Sequence, residues 1–291
     1  MRARQPDELF SSYESYFGSA LPKEFYSLYF KEPVYEFESD ISGLRWYTPN
    51  LLGDGDYYAT LARIYSWYYN PGSWDKLTAL DIILGLKPAS ILEVGCGDGW
   101  LLDRLRERNL SATGVEINES AVKKCKDRGL KVFLPAESGM EAIRNDVVCL
   151  LQTIEHVPNP REFLATLVQQ YQPEQIILSA PCFESLLGYT SDPLSWPPHH
   201  ATAWSRKAFD TLAGLLGFQI STVRYSPLSF EEFNWKLDRE DSRKLPNIPS
   251  IQRGTIGSLK FKMYQYLGRS WACRGHSILV VMSKRTKTPK N

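Results

Sequence analysis

At 291 residues, the chain has room for one large domain, or for a core of roughly 200 residues with attachments. Its 34 Lys and Arg balance 33 Asp and Glu, so a net charge of +1 gives no electrostatic case for a nucleic-acid partner. The hydrophobic fraction of 43% is ordinary for a globular protein, and no apolar run approaches the ~20 residues of a membrane span.

Residues 1–77 are rich in aromatic side chains and weakly periodic, and are read as an N-terminal lid or substrate region. The polar start (Arg2, Arg4, Gln5, Asp7, Glu8) is unlike a signal peptide. Gly43–Pro49 reads as extended and broken by proline, Asp56–Tyr69 as a helix, and Asp75–Leu84 as a second helix ending near Gly85. From Ser90, strands and helices alternate. The strands predicted are Ile91–Val94, Ala112–Ile117, Lys131–Leu134, Val147–Leu151, Gln175–Ser179, Gln219–Arg224 and Ser277–Met282. Short apolar strands alternating with helices predict an α/β fold, a doubly wound, mostly parallel sheet covered on both faces. Asn159 followed by Pro160 predicts one capped helix, and Ser205 with Gly217 frames another. The core is placed at 78–285, with an insertion at 225–275 carrying basic residues (Lys260, Lys262, Arg269, Arg274) among aromatics, and a disordered tail at 286–291. The five cysteines (Cys96, Cys125, Cys149, Cys182, Cys273) are odd in number and never spaced Cys-x-x-Cys, which predicts a reduced, cytoplasmic protein with buried thiols.

The densest chemical signal is Ile91-Leu-Glu-Val-Gly-Cys-Gly-Asp-Gly-Trp100: strand, glycine turn, helix. Gly95 and Gly97 suit a dinucleotide fingerprint, but the third glycine comes early, at Gly99, and Trp100 stands where it should be. Glu93, at the strand's end, suits a ligand with positive charge better than a pyrophosphate. S-adenosylmethionine, with an ammonium, a sulfonium and no phosphate, is such a ligand. Glu116 lies about 20 residues past the first glycine, where a carboxylate can take ribose hydroxyls. The bland alternatives are a structural turn for the loop and a surface acid for Glu116; their joint occurrence argues against both. Pro135-Ala136-Glu137 would lie beside an adenine edge, or merely open a helix. Leu151-Gln152-Thr153-Ile154-Glu155-His156 follows the fourth strand, where Glu155 and His156 would face substrate or anchor the next helix. Trp196-Pro-Pro-His-His200 follows the fifth, and a neutral imidazole there is a natural base for a hydroxyl proton. His199, His200 and an acid also form a candidate metal set, set aside because adjacent side chains are expected to point their rings apart.

Glu93-Val-Gly-Cys-Gly-Asp-Gly99, Glu116 and the Glu155-His156 pair resemble the class I S-adenosylmethionine-dependent methyltransferases over roughly residues 75–285. The resemblance implies a Rossmann-like seven-stranded sheet with a final antiparallel strand at Ser277–Met282. It implies that Glu93, Gly95, Cys96, Gly97 and Gly99 hold the methionine end, Glu116 and Ile117 the ribose side, Ala136 and Glu137 the adenine, and Gln152 and Thr153 the methionine portion. The Pro-Pro-His-His loop and the N-terminal aromatics resemble a subgroup often linked to sugar or glycan modification, and more distantly the quinone-ring O-methylating enzymes. Relatives often carry a cysteine-rich zinc module first; here no cysteine precedes Cys96, and no metal is expected. The expectation is O-methylation of a sugar-related or other small hydroxylated metabolite, with His199, His200 and His156 as catalytic candidates. The alternatives are a phenolic, quinone-type or carbon acceptor, or a non-catalytic cofactor-binding partner protein.

Overall fold

The computed structural model describes residues 2–17, 27–66, 68–135, 137, 144–184, 193–228 and 274–285. Ala136, most of the expected insertion (229–273, with Cys273) and the tail 286–291 lie outside the described residues. Along the chain run β1 (Arg2–Arg4), α1 (Pro6–Phe17), β2 (Val34–Glu38), β3 (Arg45–Thr48), α2 (Gly55–Ile64), α3 (Trp74–Leu86) and β4 (Ile91–Val94). Then come α4 (Trp100–Arg106), β5 (Ala112–Val115), α5 (Glu119–Asp127), β6 (Val132–Phe133), β7 (Val147–Leu151), α6 (Pro160–Tyr171) and β8 (Gln175–Pro181). The chain closes with β9 (Thr202–Ala203), α7 (Arg206–Leu215), β10 (Phe218–Pro227) and β11 (Arg274–Lys284).

Seven of these strands form one sheet in the order β10-β11-β8-β7-β4-β5-β6. The pairs β4/β5, β4/β7, β5/β6 and β7/β8 are parallel, and β11 runs antiparallel between β8 and β10. This is the expected doubly wound sheet with its reversed last strand. The period-2 alternation of β-strands explains both faces. Leu92, Val94, Val148, Leu150, Ile176 and Leu178 point toward α6 and α7 and pack on Leu164, Phe209 and Leu212. Ile91, Val147, Cys149, Ile177 and Leu279 point the other way, under Ala79, Leu80 and Ile83 of α3 and Leu101 of α4. Glu93 shares the parity of Ile91, so its carboxyl is driven into the buried α3 face.

The N-terminal region holds more order than its sequence pattern suggested. β1, β2, β3 and β9 make a second, antiparallel sheet, closed by pairing of Arg45–Trp46 with Thr202–Ala203. β9 thus joins the second sheet to the loop leaving β8. Leu9, Val34, Tyr47 and Trp196 fill one core beneath it, and Tyr13, Tyr57, Tyr58, Leu61 and Leu194 a neighbouring one. The helix expected over Asp56–Tyr69 stops at Ile64: Asp54 caps its start through Tyr57 N, and Tyr65 turns to an extended conformation. Ser205 caps α7 as expected, accepting from Ala208 N at 3.1 Å, whereas Asn159 makes no side-chain cap bond to α6. None of the described helices is long and apolar enough to cross a membrane.

Candidate active site

Order reversal between β4 and β7 opens a crevice at the carboxyl ends of these strands. The glycine turn lines it. Gly95, Gly97 and Gly99 have φ of +74°, +54° and +74°, a region costly for any residue with a Cβ. At Gly95 a Cβ would collide with the hydroxyl of Thr153 and come within 2.7 Å of its methyl; at Gly97 it would lie 2.8 Å from the Tyr69 ring. Thr153 is held by bonds from its hydroxyl to the Val94 and Leu151 carbonyls, both 3.2 Å. Cys96 points away from the crevice into the core with Leu102, Val122 and Cys125.

Glu116, at the end of β5, is buried and faces the turn. One oxygen accepts from Gly97 N at 2.8 Å; the other accepts from Ile117 N and Asn118 N, both 2.9 Å. Three of its roughly four lone-pair sites are used, so gripping two hydroxyls at once requires releasing one backbone donor. Burial raises its pKa, and the three backbone bonds pull the other way. Beside it Ile117 is 44% exposed, an apolar surface for a ring to cover. Asn118 donates to the Tyr69 hydroxyl at 3.0 Å, tying this strand end to the N-terminal region. Glu137 is occupied elsewhere: Lys126 Nζ lies 2.9 Å and Leu134 N 3.0 Å from its carboxylate, so it braces a turn.

Three buried acids converge on the inner wall. Glu93 and Glu155 are 2% and 0% exposed, and among the described residues Glu93 Oε2 and both Glu155 oxygens have no hydrogen-bond partner. Burial pushes the Glu93 carboxyl up to about 8; Lys76 opposes this, while Asp98, Asp75 and Cys125 reinforce it. Burial likewise holds Glu155 well above the carboxylate range. Asp75, on the first turn of α3, accepts from Ser179 Oγ at 3.0 Å. Gln152 holds φ +51° and turns its amide toward Ser179 Oγ (3.4 Å) and Ser277 Oγ (3.5 Å), into the sheet. Unpaired buried carboxyls are costly until a positive charge arrives.

The histidines gather next to Glu155, the residue before His156. His199 and His200 are 6% and 7% exposed; His156 keeps an open edge. Contrary to the expectation for neighbours in sequence, the His199 and His200 rings do not diverge: their centroids lie 4.7 Å apart at 38°. The His156 ring lies 4.9 Å from His199 and 5.0 Å from His200, closing a near-equilateral triangle. The loop is shaped by His199 N and His200 N bonding to Trp196 O at 3.1 and 3.2 Å, and by Ala201 N bonding to Glu155 O at 2.8 Å. His156 Nδ1 lies 2.5 Å from His199 O, so that nitrogen carries the proton. Tyr58 Oη lies 3.1 Å from the same nitrogen, and Tyr57 Oη 3.3 Å from His199 Nδ1. Burial lowers all three imidazoles, His156 to about 4; the open edge of His156 tempers this. All three are neutral at pH 7.

Residues 67–223, more than half of the sequence, match the family model described as a methyltransferase domain. The chain belongs to this methyltransferase family. Its cofactor is S-adenosylmethionine, and the site fits that molecule: the orphaned oxygens of Glu93 and Glu155 call for a cation, and the positive-φ glycine turn is held against the Glu116 carboxylate through Gly97 N. The methyltransferase is 28% identical over 107 residues to a ubiquinone biosynthesis O-methyltransferase of Azoarcus sp. (strain BH72), covering 34% of this chain and 46% of that one. Identity to the protein of the same name from Methylococcus capsulatus is 26% over 166 residues, 47% of this chain and 68% of the relative. The match thus spans less than half the length of the Azoarcus protein, and 40% of the Rickettsia canadensis one. Among solved structures, a methyltransferase from Archaeoglobus fulgidus is similar at a TM-score of 0.48 and 18% identity, covering 72% of this chain and 94% of its own.

Of the residues read from the sequence, the structure gathers Gly95, Gly97, Glu93, Glu116, Ile117 and Thr153 around the methyltransferase crevice and His156, His199 and His200 at one spot. It turns Cys96, Gln152 and Glu137 to structural partners. Asp75 was not singled out, and Tyr69 only as one of the N-terminal aromatics. Asp75 reads as an ordinary first-turn helix acid, and Tyr69 as the last turn of a helix that in fact ends at Ile64.

Proposed function

We propose that this methyltransferase methylates a hydroxyl of a small, polyhydroxylated, sugar-like acceptor. The observation that carries the reading is the convergence of three neutral imidazoles on a spot bordered by Tyr58 and Tyr68, whose neighbour Tyr69 touches the glycine turn. S-adenosylmethionine, when bound, supplies a methyl group activated by a sulfonium. The chain's own groups do the rest. Glu116 holds ribose hydroxyls, Ile117 covers the ring beside it, and Glu93, Glu155 and Asp75 favour the positively charged end. The histidine cluster receives the acceptor hydroxyl and an imidazole nitrogen takes its proton, while Tyr57, Tyr58 and Tyr68 exclude water. Alignment of acceptor and donor is worth up to about 7–11 kcal/mol, and proton transfer a further ~10²–10⁴-fold.

A second reading, a phenolic acceptor, is supported by the names of the relatives and by the tyrosine edges lining the spot. A phenol needs less help to lose its proton. The two are separated by methyl transfer from labelled cofactor to a panel of glycosides and catechols, using wild type, His199→Ala and His200→Ala. Glycoside turnover is expected to fall roughly 10²–10⁴-fold in the variants with affinity for S-adenosylhomocysteine unchanged. Catechol turnover that survives both substitutions selects the second reading, and glycoside turnover unaltered in both removes the first.

A further inference from the structure

The geometry points to a divalent-cation site of the zinc or cobalt type formed by the side chains of His156, His199 and His200. Among the described residues, these three make the one group of His, Cys, Asp and Glu side chains whose ligand atoms all lie within 4.8 Å of one another. A cation about 2.0–2.1 Å from each ring nitrogen puts each ring centroid about 3.2 Å from the metal, hence about 4.5–5.2 Å from the other two at angles of 90–110°. The observed centroid separations of 4.7, 4.9 and 5.0 Å fall inside that window. Ligand nitrogens in a tetrahedral site stand about 3.4 Å apart, so a pair at the 4.8 Å limit closes by about 1.4 Å when the ion binds.

The surroundings agree with the donor set. A ligating histidine ordinarily gives its other N–H to a carbonyl or another oxygen, which fixes the tautomer and aims the lone pair. His156 Nδ1 does this with the His199 carbonyl at 2.5 Å, leaving Nε2 as the lone-pair nitrogen. His199 has the same option through Tyr57 Oη at 3.3 Å. The three rings come from two elements that the fold locks together: a 3-10 turn after β7 (Ile154–His156) and the loop before β9, joined by Ala201 N to Glu155 O at 2.8 Å. Three neutral ligands leave the ion its full double charge and at least one open position, and His156 alone of the three keeps an open edge. Imidazole nitrogens suit zinc, cobalt, nickel and copper better than magnesium or calcium. Where the hydroxyl-acceptor reading holds, on which this last step rests, the open position is where that hydroxyl binds and is acidified; with the three imidazole lone pairs on the ion, its proton leaves to water along the open edge of His156, and the ion takes over the activating role otherwise given to a free imidazole.

The test is titration of chelator-treated, full-length protein with Zn²⁺ by calorimetry and with Co²⁺ by visible absorption. The expected result is one equivalent per chain, with the intense d–d bands of a low-coordinate Co²⁺–imidazole centre. His156→Ala, His199→Ala and His200→Ala are each expected to weaken binding about 100-fold or more, and Tyr57→Phe about 10-fold, the scale of an outer-shell loss. Retained affinity for S-adenosylhomocysteine identifies the folded variants, and His200→Gln, close in size, serves if an alanine variant does not fold. Absence of stoichiometric binding in wild type, or binding undiminished in the folded histidine variants, overturns the site. Methyl-transfer assays distinguish the two inferences. A cation that binds as described in a protein inert toward every hydroxyl tested sinks the acceptor reading alone. Hydroxyl transfer at full rate in a chelated protein that takes up no cation sinks the metal site alone.

Discussion

Gly95 combines φ +74° with a Thr153 side chain standing where its Cβ would be, so two independent penalties fall on one substitution. Gly95→Ala is expected to cost about 1–3 kcal/mol of stability and to weaken S-adenosylhomocysteine binding at least tenfold. Urea unfolding and calorimetry read the two effects separately; a variant with wild-type affinity would show that the turn is not the cofactor cradle. Glu93 carries the pH prediction. Its folded pKa of about 8 stands above the ordinary 4.5, so between these values the folded state holds a proton that the unfolded state has lost. Its contribution to stability is therefore complete below pH ~4.5 and lost as the pH rises through 8. Asp75, Asp98 and Cys125 strengthen this and Lys76 opposes it. A cationic ligand beside Glu93 lowers that pKa, so binding at pH 7 should release a fraction of a proton and tighten as the pH rises toward 8.5. Calorimetry in buffers of different ionisation enthalpy measures the release, and Glu93→Gln should reduce it by the Glu93 share, leaving that of Glu155.

At the scale of elements, capping rules separate two helices that look alike in sequence. Ser205 accepts from Ala208 N at 3.1 Å, so Ser205→Ala should cost about 1 kcal/mol. Asn159 makes no such bond; its carbonyl alone accepts from Phe163 N, a contact that alanine keeps. Asn159→Ala should cost less than about 0.5 kcal/mol by the same urea titration. Equal losses at the two positions would contradict this difference in geometry. The early end of α2 has a larger consequence. Helical continuation to Tyr69 would keep Tyr68 and Tyr69 on the turns above Tyr65. Leaving the helix at Tyr65 lets Tyr69 reach Asn118 at 3.0 Å and brings the Tyr68 ring within 5.9 Å of His199. Tertiary contacts decided that boundary, since nothing local to Ser66–Tyr69 breaks a helix.

On the scale of the molecule, Trp196 pins the histidine loop to the second sheet. It is 1% exposed, packs on Tyr47 at 5.0 Å, lies under Arg4 at 4.4 Å, and its carbonyl accepts from Tyr13 Oη, His199 N and His200 N. Trp196→Ala should destabilise the fold by roughly 3–5 kcal/mol. It should also cut methyl transfer more than cofactor affinity, because the histidine loop loses its support while the glycine turn, on β4, does not. Comparable losses in both, measured at a temperature where the variant is folded, would place the histidines in the cofactor site itself.

The parallel sheet, its reversed last strand and the glycine turn were legible from the sequence, because each rests on local signals: apolar runs of strand length, glycines at turn spacing, capping residues. Glu93 and Glu116 were legible too, since a carboxylate at a strand end is placed by the strand's own period. The second sheet was not. β3 is a four-residue strand and β9 has two residues, and they acquire meaning only by pairing across some 150 positions of chain. The histidine triangle belongs to the same class. Sequence adjacency suggested that His199 and His200 diverge, and although His156 stood with them as a catalytic candidate, nothing in the sequence set the distances between the three rings. The bend imposed by Trp196 and the Ala201–Glu155 bond bring all three rings together, because only packing between distant segments can offset the cost of burying three polar rings at one point.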